Sequence, residues 1–383
     1  MRLDQFEMER LQSTWENRVK FNLSESSVHP MSPRELVADP DSLERLMDMP
    51  LIYNQSNGTD ELRSAIAACY PGATLDHVEV TNGGSEANFI SIFSMLEPGD
   101  EVAIILPNYQ QIWGLIRSFG MVVNAVSLRE DLNWAPDLAQ LEAAVSPRTR
   151  MIILCNPNNP TGAILTAAEM DTIVRIAARS GAWILCDEIY QGSERDGQMT
   201  PTFWGKYDRV IITNGLSKAY GLPGLRIGWI VAPKHLIAKM WSYHDYTTIA
   251  PGTLSDCLAQ IALAPEGRTR CLERTRDICR KNFPLFQSWM GSHGSLFRMV
   301  EPKAGAIAYV RYDLSVNSTV LIQRLLTEKS VLVVPGDHFG MDHYLRIGYG
   351  PPPEYLKQGL ELIREVIADF KQDKSGTVTT TPK

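Results

Sequence analysis

Met151-Ile152-Ile153-Leu154-Cys155, running directly into Asn156-Pro157-Asn158-Asn159-Pro160-Thr161-Gly162, reads as a buried strand closed by a rigid turn. Five apolar residues are too few for a helix or a membrane span, and they suit a strand covered on both faces. Two prolines and a glycine fix the turn, and its asparagines carry donors into whatever lies beside it. A helical pattern over residues 167–179 follows. A second apolar run, Trp183-Ile184-Leu185-Cys186, then ends on Asp187. Strand, helix and strand in that order imply parallel strands with a helix packed over them.

The same rhythm extends in both directions. Strand patterns at 77–81, 102–106, 121–126, 210–213 and 228–231 alternate with helical ones at 86–96, 112–119 and 138–145. Together they predict an α/β fold with a mostly parallel, seven-stranded sheet. After a helical region over 253–287 the rhythm changes. Strand patterns at 306–312, 331–334 and 344–347, with helices at 321–328 and 353–370, predict a smaller α+β domain. The expected division is a large domain over 46–275 and a small domain over 276–372, which residues 1–45, a short helix and an extended arm, join. Residues 373–383, polar and rich in Ser, Thr and Gly, are expected to be disordered.

A chain of 383 residues is long enough for two lobes. Its net charge of -7, without any basic run, argues against nucleic acid as a partner. The opening MRLDQFEMER has the pattern of neither a signal nor a transit peptide, and no apolar run reaches membrane-spanning length. The six cysteines form no C-x-x-C pair, so they read as buried thiols in a reducing cytoplasm and no metal site is expected.

The unusual polar residues follow strand ends, where ligands bind in parallel sheets. Thr81-Asn82-Gly83-Gly84-Ser85 joins a strand to a helix. Its glycines let the backbone approach an anion at the helix N-terminus, although Gly-Gly-Ser also makes ordinary turns. Asp187 closes a buried strand just before Glu188-Ile189-Tyr190. A carboxylate there needs a positive partner; a protonated pyridine nitrogen is one, and a structural ion pair or cap is the alternative. In Ser217-Lys218-Ala219-Tyr220-Gly221-Leu222-Pro223-Gly224-Leu225-Arg226-Ile227-Gly228, a lysine among small residues can be partly desolvated and form an imine with an aldehyde. Ser217 and Arg226 on the same loop suit a phosphate.

These stretches, in this order, resemble the class I/II aminotransferases, fold-type I enzymes that use pyridoxal 5′-phosphate. Tyr53 to Arg63 is similar to the family's Tyr-x4-Gly-x3-Leu-Arg, and Pro107-Asn108-Tyr109 to its ring-stacking turn; Leu345-Arg346-Ile347 completes the set. The resemblance implies that Lys218 holds the cofactor as a Schiff base and shuttles the α-proton. It implies further that Asp187 pairs with the ring nitrogen, that Asn159 and Tyr190 hydrogen-bond the ring's phenolic oxygen, and that Tyr109 stacks on the ring. Gly84, Ser85, Ser217 and Arg226 would hold the phosphate, with Tyr53 reaching the phosphate of the neighbouring subunit in a homodimer. Arg346 would take the α-carboxylate of amino acid and 2-oxo acid substrates.

Two departures stand out. Gly215 occupies a position where many members carry Ser or Thr. The arm Asn22-Leu23-Ser24-Glu25-Ser26-Ser27-Val28 is polar where ordinary members have glycine, and it resembles aminocyclopropane-carboxylate synthases and capreomycidine synthase-like enzymes. Glu25, with Ser26 beside it, therefore becomes a substrate-site candidate; Asp245, in a stretch that in this family approaches the partner's active site, is a second. Both would favour a cationic or polar side chain, and solvated arm and loop residues are the alternative. The expected activity is amino-group exchange; the alternative is elimination or ring closure on the same scaffold. No G-x-G-x-x-G marks a nicotinamide site.

Overall fold

The computed structural model describes residues 3–37 and 39–373. Eight strands form the main sheet: β1 (Val78–Thr81), β2 (Glu101–Leu106), β3 (Val122–Arg129), β4 (Ala135–Pro136), β5 (Thr149–Cys155), β6 (Trp183–Asp187), β7 (Val210–Gly215) and β8 (Gly228–Val231). Their spatial order is β1-β8-β7-β6-β5-β2-β3-β4. From β3 across to β7 the neighbours are parallel. β8 is antiparallel to both β7 and β1, which returns β1 to the common direction. Seven of these strands match the sequence patterns. The eighth, β4, is a two-residue edge antiparallel to β3, too short to show any period.

The central strands are apolar without interruption because each buries both faces. Alternate side chains leave a strand on opposite sides. Ala103, Ile105, Ile152, Leu154, Ile184 and Cys186 therefore join one core, and Val102, Ile104, Met151, Ile153 and Leu185 join another. The helices that matter below are α1 (Glu7–Trp15), α2 (Gly84–Met95), α3 (Gln110–Ser118), α4 (Ala167–Ser180), α5 (Lys234–His244), α6 (Pro265–Gly291) and α7 (Pro353–Asp373). α4, the crossover between β5 and β6, starts on a reciprocal Thr166–Glu169 cap and stops at Gly181 with φ 72°. Such caps stabilise a helix by about 1 kcal/mol.

Four further strands, β9 (Phe297–Arg298), β10 (Ile307–Tyr312), β11 (Val334–Pro335) and β12 (Tyr344–Gly348), form an antiparallel sheet in the order β9-β10-β12-β11. A third core gathers Phe21, Leu23 and Val28 of the N-terminal arm with Phe283 and Phe286 of α6, Leu345 of β12 and Leu356 of α7. The Gly348 N–H donates to Leu23 O at 2.7 Å, and a Cβ on Gly348 would come within 2.1 Å of Glu25 O. Only glycine lets the arm pass this close. α7 runs to Asp373; the rest of the expected disordered tail lies outside the described residues. Among the described residues no helix is long and apolar enough to cross a membrane.

Candidate active site

β1, β2, β5, β6 and β7 all end on one edge of the sheet, and β8 starts there just after Arg226. The chain beyond each end supplies Gly84 and Ser85, Tyr109, Asn159, Asp187 with Tyr190, and Ser217 with Lys218. With Arg226, Arg346, Glu25 and Ser26 they line one cavity of about 390 Å³. Two candidates lie elsewhere on this chain. Tyr53 is 88% exposed, and Asp245 is the exposed residue that ends α5.

One end of the cavity is an anion cup. α2 begins after Gly83 (φ 93°, ψ 164°) with no side-chain cap, so its first N–H groups remain available. Arg226 Nη1 lies 3.4 Å from Ser217 Oγ. A Cβ on Gly83 would stand 2.3 Å from Arg226 Nη2, so the glycine leaves the space that the guanidinium occupies. Behind the cup His244 is buried between Glu79 (Nδ1 to Oε1 2.8 Å) and Glu86 (Nε2 to Oε2 3.3 Å). Glu86 in turn accepts the Asn82 N–H at 2.6 Å and the Thr248 hydroxyl at 2.8 Å. Burial works to lower the His244 imidazole, but its two carboxylate partners outweigh it and lift it to about 9. Burial opposes Glu86 as well, yet His244, Thr247, Thr248 and the Asn82 N–H bring it to about 2.

Asp187 lies beneath the cavity. Its Oδ1 accepts the Ile189 N–H and its Oδ2 the Asn88 amide, both at 3.0 Å. Asn88 is locked in turn by the Thr213 hydroxyl at 2.6 Å. Burial pushes the Asp187 carboxyl up, against Asn88, the Ile189 N–H and Lys218. Asn88 was not among the sequence candidates; the available signal is an amide one turn into a helix whose neighbours Ala87 and Ile90 are core residues. Lys218 Nζ stands 3.8 Å from Glu25 Oε2, with both side chains partly open to solvent.

Arg346 of β12 is 2% exposed. Nη1 donates to Asn159 Oδ1 at 3.0 Å and Nη2 to Ser24 O at 2.7 Å, while among the described residues Nε has no hydrogen-bond partner. Burial lowers its guanidinium, against Tyr190 and Glu25. A buried guanidinium with a vacant donor and no carboxylate in contact is costly, and an incoming anion relieves it. Tyr190, expected on the cofactor's phenolic oxygen, here donates to Ser26 Oγ at 2.8 Å. The Tyr109 ring meets Phe6 edge-on at 5.3 Å. α1 roofs the cavity with Met8, Glu9 and Gln12, and Glu16 at its C-terminal cap extends the roof, a face that the sequence reading did not single out. Gln12 fixes it to the arm through Ser24 O (3.2 Å) and Oγ (3.0 Å), and the Met8 N–H bonds Gln110 Oε1 at 3.0 Å.

These residues fit pyridoxal phosphate. The cup suits its phosphate, the buried acid its ring nitrogen, and the Lys218 amine its aldehyde. Site and sheet together define a pyridoxal-phosphate enzyme of fold type I. The chain belongs to the family described as aminotransferase class I and II, whose profile matches residues 22–363. It is 32% identical over 351 residues to capreomycidine synthase of Streptomyces vinaceus, spanning 91% of this chain and 90% of that one. A PLP-dependent aminotransferase from Streptococcus suis superposes with a TM-score of 0.90 at 32% identity, covering 97% and 99% of the two chains. The PLP-dependent cyclase OrfR superposes with a TM-score of 0.87 at 27% identity, covering 96% and 98%. The departure at Gly215 has a local reason: a Cβ there would lie 2.8 Å from Ile227 O.

Proposed function

We propose that this chain is an aminotransferase, moving the amino group of an α-amino acid to a 2-oxo acid, with Lys218 taking and returning the Cα proton. The observation that carries this reading is the vacant, buried Nε of Arg346 in the same cavity as Lys218 and Asp187. A carboxylate bound to Arg346 directs the neighbouring Cα–H towards Lys218. Bound in the cup, pyridoxal phosphate supplies the electron sink that makes this proton acidic. Asp187 holds the proton on the ring nitrogen, because a buried carboxylate favours a cation beside it. Asn159 orients Arg346, Tyr109 covers the ring face, and Met8 of the roof keeps water from the reacting carbon.

Elimination or ring closure is the second reading. Glu25, 3.8 Å from the Lys218 amine, is an additional acid–base group that simple exchange does not need. The likeness to capreomycidine synthase and to the cyclase favours it too. Incubation with a panel of amino acids, with and without a 2-oxo acid, separates the two. A new amino acid formed from the oxo acid supports exchange; ammonia or a dehydrated, cyclised product without any oxo acid refutes it in favour of the second reading.

The functional unit in this proposal is a two-fold dimer, with Tyr53 of one copy completing the other's phosphate cup. Met47, Leu51, Ile52, Tyr53, Tyr246 and Ile249 are exposed, and Thr253 Oγ1 ties their segments through Ile52 O at 2.5 Å. Apolar surface of this kind marks a contact face, and Asp245 sits beside it. Six unpaired cysteines, four of them buried, support a cytoplasmic setting.

A further inference from the structure

We infer that the substrate of this site is an amino acid whose side chain ends in a cation, a guanidinium or an amine, held by Glu9 of α1 and Glu16 at its C-terminal cap, with Glu25 beside them. The inference rests on the proposed function for the roles of Arg346 and Lys218.

Within one chain the cavity lining carries an excess of acid: Glu9 is exposed to solvent, but Glu16 and Glu25 are half-buried. Its basic groups are Lys218, Arg226 and Arg346; its acids are Glu9, Glu16, Glu25 and Asp187. Arg226 belongs to the phosphate cup, Asp187 to the ring nitrogen, and the vacant Nε of Arg346 to the substrate carboxylate. Lys218 alone remains to face three glutamates, at 3.8 Å from the nearest. Its amine takes and returns the Cα proton, so its charge does not persist through the reaction. Among the described residues no basic side chain makes an ion pair with Glu9 or Glu16. Burial raises the Glu16 carboxyl, and the negative charges of Glu25 and Glu9 raise it further, against Lys218. A substrate with a second carboxylate would add another negative charge here, and a neutral one would leave the imbalance in place. A cation removes it.

The path through the cavity suits a long side chain. α1 passes over it from Met8, whose sulfur is 3.5 Å from Arg346 Nη1, to its cap Glu16. Eight residues of helix at 1.5 Å each cover about 12 Å. With the α-carboxylate on Arg346, a side chain of lysine or arginine length runs beneath α1 towards Glu16. It is not stopped there, because a second cavity, lined by Asn17, Asn22, His29 and Tyr355, shares Glu16, Glu25 and Pro223 with the first.

The test is solvent-deuterium exchange at Cα, catalysed by the holoenzyme, which reads substrate choice whatever the later chemistry. L-arginine is compared with its neutral isostere L-citrulline, L-lysine with L-norleucine, and both sets with L-glutamate. Arginine should exceed citrulline by roughly tenfold in kcat/KM at low salt, a margin that shrinks at high salt. Glu9→Gln combined with Glu16→Gln should bring the ratio close to one. Should that variant fail to fold, the wild-type ratio and its salt dependence decide. Equal rates for arginine and citrulline, or glutamate as the best substrate, overturn the inference while leaving Lys218 and Arg346 in their roles. Exchange with no amino acid at all overturns those roles instead.

Discussion

Replacing Gly83 by alanine should separate two effects that the anion cup combines. At φ 93°, ψ 164° the backbone is in a region open essentially to glycine alone, so alanine strains the folded chain by about 1–3 kcal/mol. That cost is present with or without cofactor, and it should appear as a lower Tm of the apoenzyme. The second effect is steric. The new Cβ would stand 2.3 Å from Arg226 Nη2 and 2.9 Å from its Cζ, so the guanidinium must leave the cup. A charge-assisted hydrogen bond contributes about 1.5–3 kcal/mol, so the Kd for pyridoxal phosphate should rise roughly 10- to 150-fold. Titrating the cofactor into apoenzyme, followed by absorbance, measures this, and thermal unfolding measures the strain. Arg226→Ala serves as the reference: it should reproduce the affinity loss without the loss of Tm. A Gly83→Ala protein that is destabilised yet binds cofactor as the wild type does would refute the assignment of Arg226 to the phosphate.

Arg346→Ala removes a buried charge that the substrate is to pair with, so kcat/KM should fall by about 2–4 kcal/mol, roughly 30- to 1,000-fold. Steady-state kinetics with an unchanged KM would contradict its role. His244 has a folded-state value of about 9, raised from 6.5. Its stabilising contribution is therefore complete below pH 6.5 and lost as pH rises through 9. Urea unfolding across that window should show stability declining in the wild type and a flatter profile in His244→Gln; identical slopes would remove the buried network from the account. Gly215→Ser should lower Tm by an amount corresponding to about 1–3 kcal/mol, since its Cβ meets Ile227 O at 2.8 Å; an unchanged Tm counts against that clash.

The sheet was legible because its strands bury both faces and so leave runs such as Met151 to Cys155 that no other element explains. Most of the cavity was legible because parallel strands end together, and residues such as Asp187 and Lys218 announce themselves by lying at those ends or just past them. What escaped depends on contacts between distant parts of the chain. Asn88 reaches Asp187 across 99 residues, and Arg346 reaches Ser24 across 322. The inward face of α1 escaped for another reason. Exposed Glu9 and half-buried Glu16, which caps the helix, belong to a segment mixed in charge where acids ordinarily face water, and only their place on the rim of the cavity marks them. Tyr53 and Asp245, singled out in the sequence, lie on a surface that one chain leaves open.

The arm's seam with β12 divides the labour of the molecule. Everything assigned to the cofactor within one chain comes from its middle, between Thr81 and Gly228. Arg346 and the three glutamates come from the two extremities, fastened together where Gly348 meets Leu23. Exchanging both extremities with those of a relative would retune which molecule is accepted while the reactive centre stays intact. Exchanging one alone would mismatch the join on which both depend.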